Sequence, residues 1–323
     1  MAQNTLFFQE RELNADATFQ KSILNIPKAW AAVNRKNAPV TDTKGYLNTY
    51  ICKVEVISTD VVSYLHTAPE NWVIKNAVRR WHLARQSQRE EMFGGRAGTP
   101  TYGKTIRPMF DANHQTTNNV GDYYELQPLK RSGAMTGGSW DFTKMAHAVG
   151  NLNTNNTNDV QGEELSDSYY LTLTGVSVLE TGHTTGGHNK YSHVSMPESY
   201  ILARRNIAHD AGDDVLGEID YRPSPLVELQ GNTPSSTNVA QILGEEQNLA
   251  PPYAMQDDTG AVPTDVTQPY YAGVLATTSS YGRDSVIIRV PGGLLSVWSQ
   301  ATGGAVRLPF YNVEVLGVTR AEG

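Results

Sequence analysis

Cys52 is the only cysteine among 323 residues, so no disulfide can form within the chain. It lies in the run Tyr50-Ile51-Cys52-Lys53-Val54-Glu55-Val56, where a small buried side chain is the simplest role for it. No stretch of about 18 apolar residues is present, which excludes a spanning helix. The start MAQNTLFFQE has neither the basic residues nor the apolar core of a secretion signal, so a protein that is soluble when made is expected. Charge is sparse: Asp, Glu, Lys and Arg make up 18% of the residues, against about 25% in ordinary domains. The formal net charge of −7 gives the whole molecule no attraction for phosphate backbones, so any nucleic-acid contact must be local.

Catalytic signatures are also missing. Gly-x-Ser-x-Gly, His-Glu-x-x-His and a cysteine with a local partner do not occur. Gly137-Gly138 and Gly303-Gly304 are not followed by the Lys-Ser or Lys-Thr of a phosphate loop. Paired carboxylates for glycoside hydrolysis can lie far apart in a chain, so a glycosidase or carbohydrate-binding module, on a phage fibre or secreted, stays open as the alternative class. Its mark would be a groove lined by Trp and Tyr beside two close carboxylates.

What fills the chain is strand and turn chemistry: 28 Gly, 16 Pro and 16 Tyr, with many Asn and Thr. Strand-like runs cover 5–11, 18–26, 46–58, 101–110, 168–179, 193–204, 286–290, 294–299 and 306–318, most of them bounded by Gly, Pro, Asn or Asp. Alternation is clearest in Lys53-Val54-Glu55-Val56 and around Leu171 and Leu173. One segment differs: over 70–93, Ile74, Ala77, Val78, Trp81 and Ala84 or Arg85 recur at helical spacing, with Thr67 and Pro69 upstream and Gly94-Gly95 as the stop. A shorter helix is expected over 236–247. The Asn-rich stretch 151–159 has almost nothing to bury and falls at the midpoint, which favours two tandem β-sandwiches, 1–155 and 156–323, over one sandwich with long insertions.

Charge is segregated along the chain. From Lys75 to Arg107 eight Lys and Arg face only Glu90 and Glu91, whereas from Asn206 to Asp265 eleven acids face Arg222 alone. Lys75, Arg79, Arg80, Arg85 and Arg89 fall within about four helical turns and could meet genome, membrane headgroups or a neighbouring subunit. The simpler reading is a solvated basic face on a helix packed against a sheet. Opposite charges on one chain suit copies that meet basic surface to acidic surface. Asp210, Asp213 and Asp214 could hold calcium at an interface, although no EF-hand pattern surrounds them. His183, His188 and His193 are spaced by five through a Gly-rich interval, which reads as a hairpin loop more readily than as a zinc site.

Several short pieces carry a family resemblance. Ala68-Pro69-Glu70-Asn71-Trp72, Asn76-Ala77, Arg80-Trp81-His82, Arg85 and Gly138-Ser139-Trp140-Asp141-Phe142-Thr143, followed by Ser224-Pro225-Leu226, Pro251-Pro252-Tyr253 and Gly292-Gly293-Leu294-Leu295, resemble jelly-roll capsid proteins of small circular single-stranded DNA viruses. Such proteins often begin with an Arg-rich arm, whereas residues 1–20 hold only Arg11. That departure is closer to double jelly-roll capsid proteins of internal-membrane viruses. The resemblance implies a mainly β major capsid protein of an icosahedral virion, with no catalytic residue and no cofactor. The partners it implies are copies of the chain in trimeric or other capsomers, minor capsid proteins, and an internal membrane or genomic DNA beneath the shell. Such a protein would pass from the host cytoplasm into the virion.

Overall fold

A computed structural model describes residues 3–13, 19–93, 101–115, 123–135, 140–147, 167–185, 188–205, 267–303 and 305–320. The chain is mainly β. Its first part supplies β1 (Thr5–Gln9), β2 (Gln20–Asn25), helix α1 (Ile26–Asn34), β3 (Asn48–Ile57) and β4 (Val61–Thr67). Next come α2 (Trp72–Phe93), α3 (Thr101–Lys104), β5 (His114–Gln115), β6 (Tyr123–Leu126), β7 (Leu129–Lys130), β8 (Gly133–Ala134), β9 (Lys144–His147), β10 (Asp167–Thr172), β11 (Val178–Thr185), β12 (His188–Ser195) and α4 (Met196–Arg205). The last part supplies β13 (Tyr270–Ala276), β14 (Arg283–Pro291), β15 (Leu294–Ala301) and β16 (Phe310–Arg320).

Two sheets face each other across one core. The first has the order β1-β16-β3-β14, and the second runs β13-β4-β15-β2-β6-β5. Alternation decides which side chains turn inward: Val54 and Val56 of β3, Val313 of β16 and Ile288 of β14 meet Leu65 of β4, Leu275 of β13, Val297 of β15 and Leu24 of β2. Cys52 is fully buried among them, and burial pushes its thiol up to about 12, so it stays protonated and inert. The turn from β14 to β15 needs left-handed backbone at Gly292 and Gly293. A Cβ on Gly293 would lie 2.3 Å from Cδ of Pro27.

Strands from both sides of the expected boundary between 155 and 156 pair with one another. β3 lies between β14 and β16, and β15 lies between β2 and β4, so this sandwich belongs to neither half of the chain. The elements described between β4 and β13 form an insertion between two strands that are neighbours in the second sheet. Within that insertion β5 and β6 extend the second sheet, while β9 to β12 form a separate sheet ordered β11-β12-β10-β9.

Helix α2 forms where the spacing predicts it, although its first turn is capped by Asn71, whose Oδ1 accepts from the Ile74 amide at 2.9 Å. Its apolar face buries Ile74, Ala77, Val78, Trp81 and Ala84 in a second core shared with Tyr169, Leu171 and Tyr200. Ile23 and Leu294 of the sandwich strands belong to this second core as well, so the insertion packs on the outer face of the second sheet.

Three strand-like runs turn out differently, among them 168–179, where β10 ends at Thr172 and β11 begins only at Val178. The run 193–204 is strand only as far as Ser195 and then becomes α4, because Ser195 Oγ caps the Glu198 amide at 3.4 Å and Pro197 follows. The run 101–110 begins with the short α3 and forms none of the named strands. The expected helix over 236–247 and the Asn-rich stretch lie outside the described residues.

Candidate functional site

The five cations singled out on α2 have different surroundings, and none of them is fully exposed. Lys75 is half-buried. The Arg79 guanidinium lies 4.8 Å from the centroid of the Tyr46 ring, which Arg320 also covers at 3.8 Å while reaching Asp42 at 3.0 Å. Arg80 is only 7% exposed and lies over the Tyr200 ring at 5.4 Å. This half of the helix therefore spends its arginines on internal aromatic contacts.

The second half is different. Arg85 Nη1 donates to Thr143 Oγ1 at 2.7 Å, and the Arg107 amide donates to the same oxygen at 2.9 Å. The Arg107 guanidinium, in a residue 3% exposed, lies 4.6 Å from the centroid of the Trp140 ring. Arg89 donates to the Gly103 carbonyl. Burial, and after it the charges of Arg89 and Arg107, lower the Arg85 guanidinium to about 10, so it remains a cation at neutral pH inside a cluster of like charges. Arg107 belongs to the basic stretch of the sequence, but only the fold brings it, 22 positions on from Arg85, to the same place.

A buried ionic network joins the insertion to the sandwich. Lys28 Nζ of α1 is 2.5 Å from Glu125 Oε1 of β6, and His114 Nε2 of β5 is 2.9 Å from Glu125 Oε2. The Phe110 amide donates to His114 Nδ1 at 3.0 Å, which leaves Nε2 to carry the proton given to Glu125. Burial raises Glu125, but the His114 hydrogen bond and the Lys28 charge outweigh it and hold the carboxyl below its ordinary value. The three residues are too far apart in sequence to form a motif.

The outer face of the second sheet carries a band of rings. Tyr271 of β13 lies 6.2 Å from Tyr64 and 6.0 Å from His66 of β4, His66 lies 4.8 Å from Trp298 of β15, and Trp298 lies 6.5 Å from Tyr123 of β6. Lys21 Nζ sits 4.7 Å from the centroid of the Trp298 ring. The only signal for this band in the sequence is the alternation of Val61–Thr67, whose inward set mixes Val and Leu with Ser and Thr.

Asp210, Asp213 and Asp214 lie outside the described residues. β11 and β12 form an antiparallel hairpin closed by Thr185 opposite His188, and the His193 ring stacks on Tyr170 at 5.7 Å. Among the described residues no group of three or more His, Cys, Asp or Glu is placed to hold a metal ion, and no helix is long and apolar enough to cross a membrane. Comparison with known protein families, with curated proteins and with solved structures returns no match.

Proposed function

We propose that the chain is a major capsid protein that self-assembles into an icosahedral virion shell around a viral genome, and that its sandwich is a single jelly roll with a long insertion. The strand order carries this reading. Numbered one to eight along the chain, β1 to β4 and β13 to β16 give the sheets 1-8-3-6 and 5-4-7-2, with every neighbouring pair antiparallel. Successive strands alternate between the sheets except at the step from four to five, where the insertion stands. The reading is supported by the match of this order to the double Greek-key winding of jelly rolls, an architecture used by viral shells and also by lectins and cupins. Tandem jelly rolls, the sequence's first expectation, would need each half to pair within itself.

Large apolar side chains left outside support assembly: Tyr281 is 74% exposed, Tyr270 64% and Ile287 63%. Negative-stain microscopy of the purified protein is expected to show closed shells or regular capsomers. A strict monomer by light scattering, at high concentration and across salt, would sink the reading.

The ring band favours a second reading, a carbohydrate-binding sandwich, because sugars stack on aromatic faces and Tyr271 of the band is 48% exposed. Quenching of Trp298 fluorescence by oligosaccharides, without any assembly, would put this reading first.

A further inference from the structure

We propose that β14 is an interaction surface for a second copy of the chain, and that two copies pair antiparallel through this strand about a two-fold axis at Ile287. β14 is the last strand of the first sheet and, among the described residues, pairs with β3 alone, in a register unbroken from Arg283 to Pro291. The opposite edge, β1, is five residues long and is met by a bridge from Phe8 to Pro128. β14, nine residues long, is therefore the longer open edge, and an open edge is a row of backbone donors and acceptors that another strand can take up.

Two bonds that frame the strand decide which way each residue faces. The Ser58 amide donates to the Gly282 carbonyl at 3.0 Å, and the Gly292 amide donates to the Asn48 carbonyl at 2.8 Å. Alternate residues of an antiparallel ladder face opposite edges, so Asp284, Val286, Ile288 and Val290 bond toward β3. Ser285, Ile287 and Arg289 turn their amides and carbonyls to the open side. Pro291 falls in the same outward set, where its missing N–H costs the pairing with β3 nothing.

Side chains then choose the partner and the register. A two-fold centred on Ile287, which is 63% exposed, sets it against the partner's Ile287, and Ser285 against the partner's Arg289. On the inner face the same register sets Val286 against the partner's Ile288. A slip of two residues one way opposes Arg283 to the partner's Arg289, which are like charges, and the other way opposes Ile287 to the partner's Arg289. A strand that matches itself in reverse suits a closed pair of identical chains better than a foreign strand. That copies meet at all rests on the assembly reading, whereas the register rests on β14 itself.

Cys52 is the sole cysteine and is fully buried, so one introduced cysteine reports the contact in the full chain. In this register the two copies of position 287 lie about 5.5 Å apart at Cα, within disulfide reach, whereas those of position 285 lie more than about 13 Å apart. Mild oxidation is expected to link Ile287→Cys into dimers at least about tenfold faster than Ser285→Cys, read on non-reducing electrophoresis. Ile287→Lys, at an exposed position, should keep the wild-type unfolding midpoint and weaken self-association at least about tenfold in sedimentation. Equal linking of the two cysteine variants, or none in either, would overturn the pairing, and so would Ile287→Lys that associates as the wild type does. Shells without selective linking would remove the edge contact and leave the capsid reading, and selective linking without shells would do the reverse.

Discussion

The sandwich and its insertion solve the same problem with different means. In the sandwich, long antiparallel registers do the organising: β3 pairs with β14 over Thr49 to Ile57 and with β16 from Asn48 to Ile57, and period-two alternation sends one set of side chains inward. In the insertion no named strand exceeds eight residues, against ten in β3 and eleven in β16, and order comes from α2 packed on rings and from charged groups taken out of water. A sheet face needs only shape and apolarity to be specified. A cation-rich layer needs each charge placed, so it is where recognition can be built.

The largest effects should separate the two kinds of order. Trp81→Ala removes a fully buried ring that meets Tyr169 edge-on at 6.1 Å, and should destabilise the protein by about 3–5 kcal/mol in denaturant unfolding. Glu125→Ala strands Lys28 and His114 without their shared carboxylate and should cost about 3–5 kcal/mol as well. A loss under about 1 kcal/mol for Glu125→Ala would mean that water reaches the network, and the contrast between the regions would fail.

The two regions should also answer pH with opposite signs. Glu125, in the insertion, is held below its ordinary value of 4.5, so its contribution is present above that pH and is lost as pH falls through the lower folded-state value. Glu10, between the sheets and 2.7 Å from Ser22 Oγ, is raised above 4.5, chiefly by burial. Its contribution is therefore present below pH 4.5 and is lost as pH rises through its folded-state value. Unfolding free energy measured against pH should fall less on acidification in Glu125→Gln than in the wild type. Glu10→Gln should remove part of the loss on the rising side. Parallel profiles for all three proteins would contradict both assignments.

Much of the sandwich is legible in the sequence because alternation is local. The runs 46–58, 286–290, 294–299 and 306–318 become β3, β14, β15 and β16 within a few residues. β4 escapes because its inward side chains include Ser63 and Thr67, so burial there does not follow apolarity. The helices α1 and α4 carry the same punctuation, Asn25-Ile26-Pro27 and Ser195-Met196-Pro197, a cap followed at the second position by proline, and each directly follows a strand. The partition of the chain is hidden for another reason: Val61 pairs with Ala301 of β15, and its amide bonds Thr277 Oγ1, 216 positions away. No local pattern reports such a separation. The candidate site is legible in part, since α2 and its arginines stand out, but which of them converge depends on where 101–107 and 140–143 return.

The smallest effect concerns the place where the chain leaves the sandwich. Glu70, just ahead of α2, receives Arg289 Nε and Nη2 of β14 at 2.6 Å each, a two-pronged contact that ties the start of the insertion to the first sheet. The Arg289 side chain is 58% exposed, so water and salt screen the pair. If the insertion is held by its buried core and by Glu125, this surface tie is dispensable. Arg289→Gln should then cost at most about 1 kcal/mol, and less at high salt. A double-mutant cycle with Glu70→Gln isolates the pair from the separate contact of Thr49 Oγ1 with Glu70 at 3.4 Å. A coupling above about 2 kcal/mol that survives molar salt would show that the pair is shielded in the folded protein, and would shift part of the joint between the two regions from the Glu125 network to the surface.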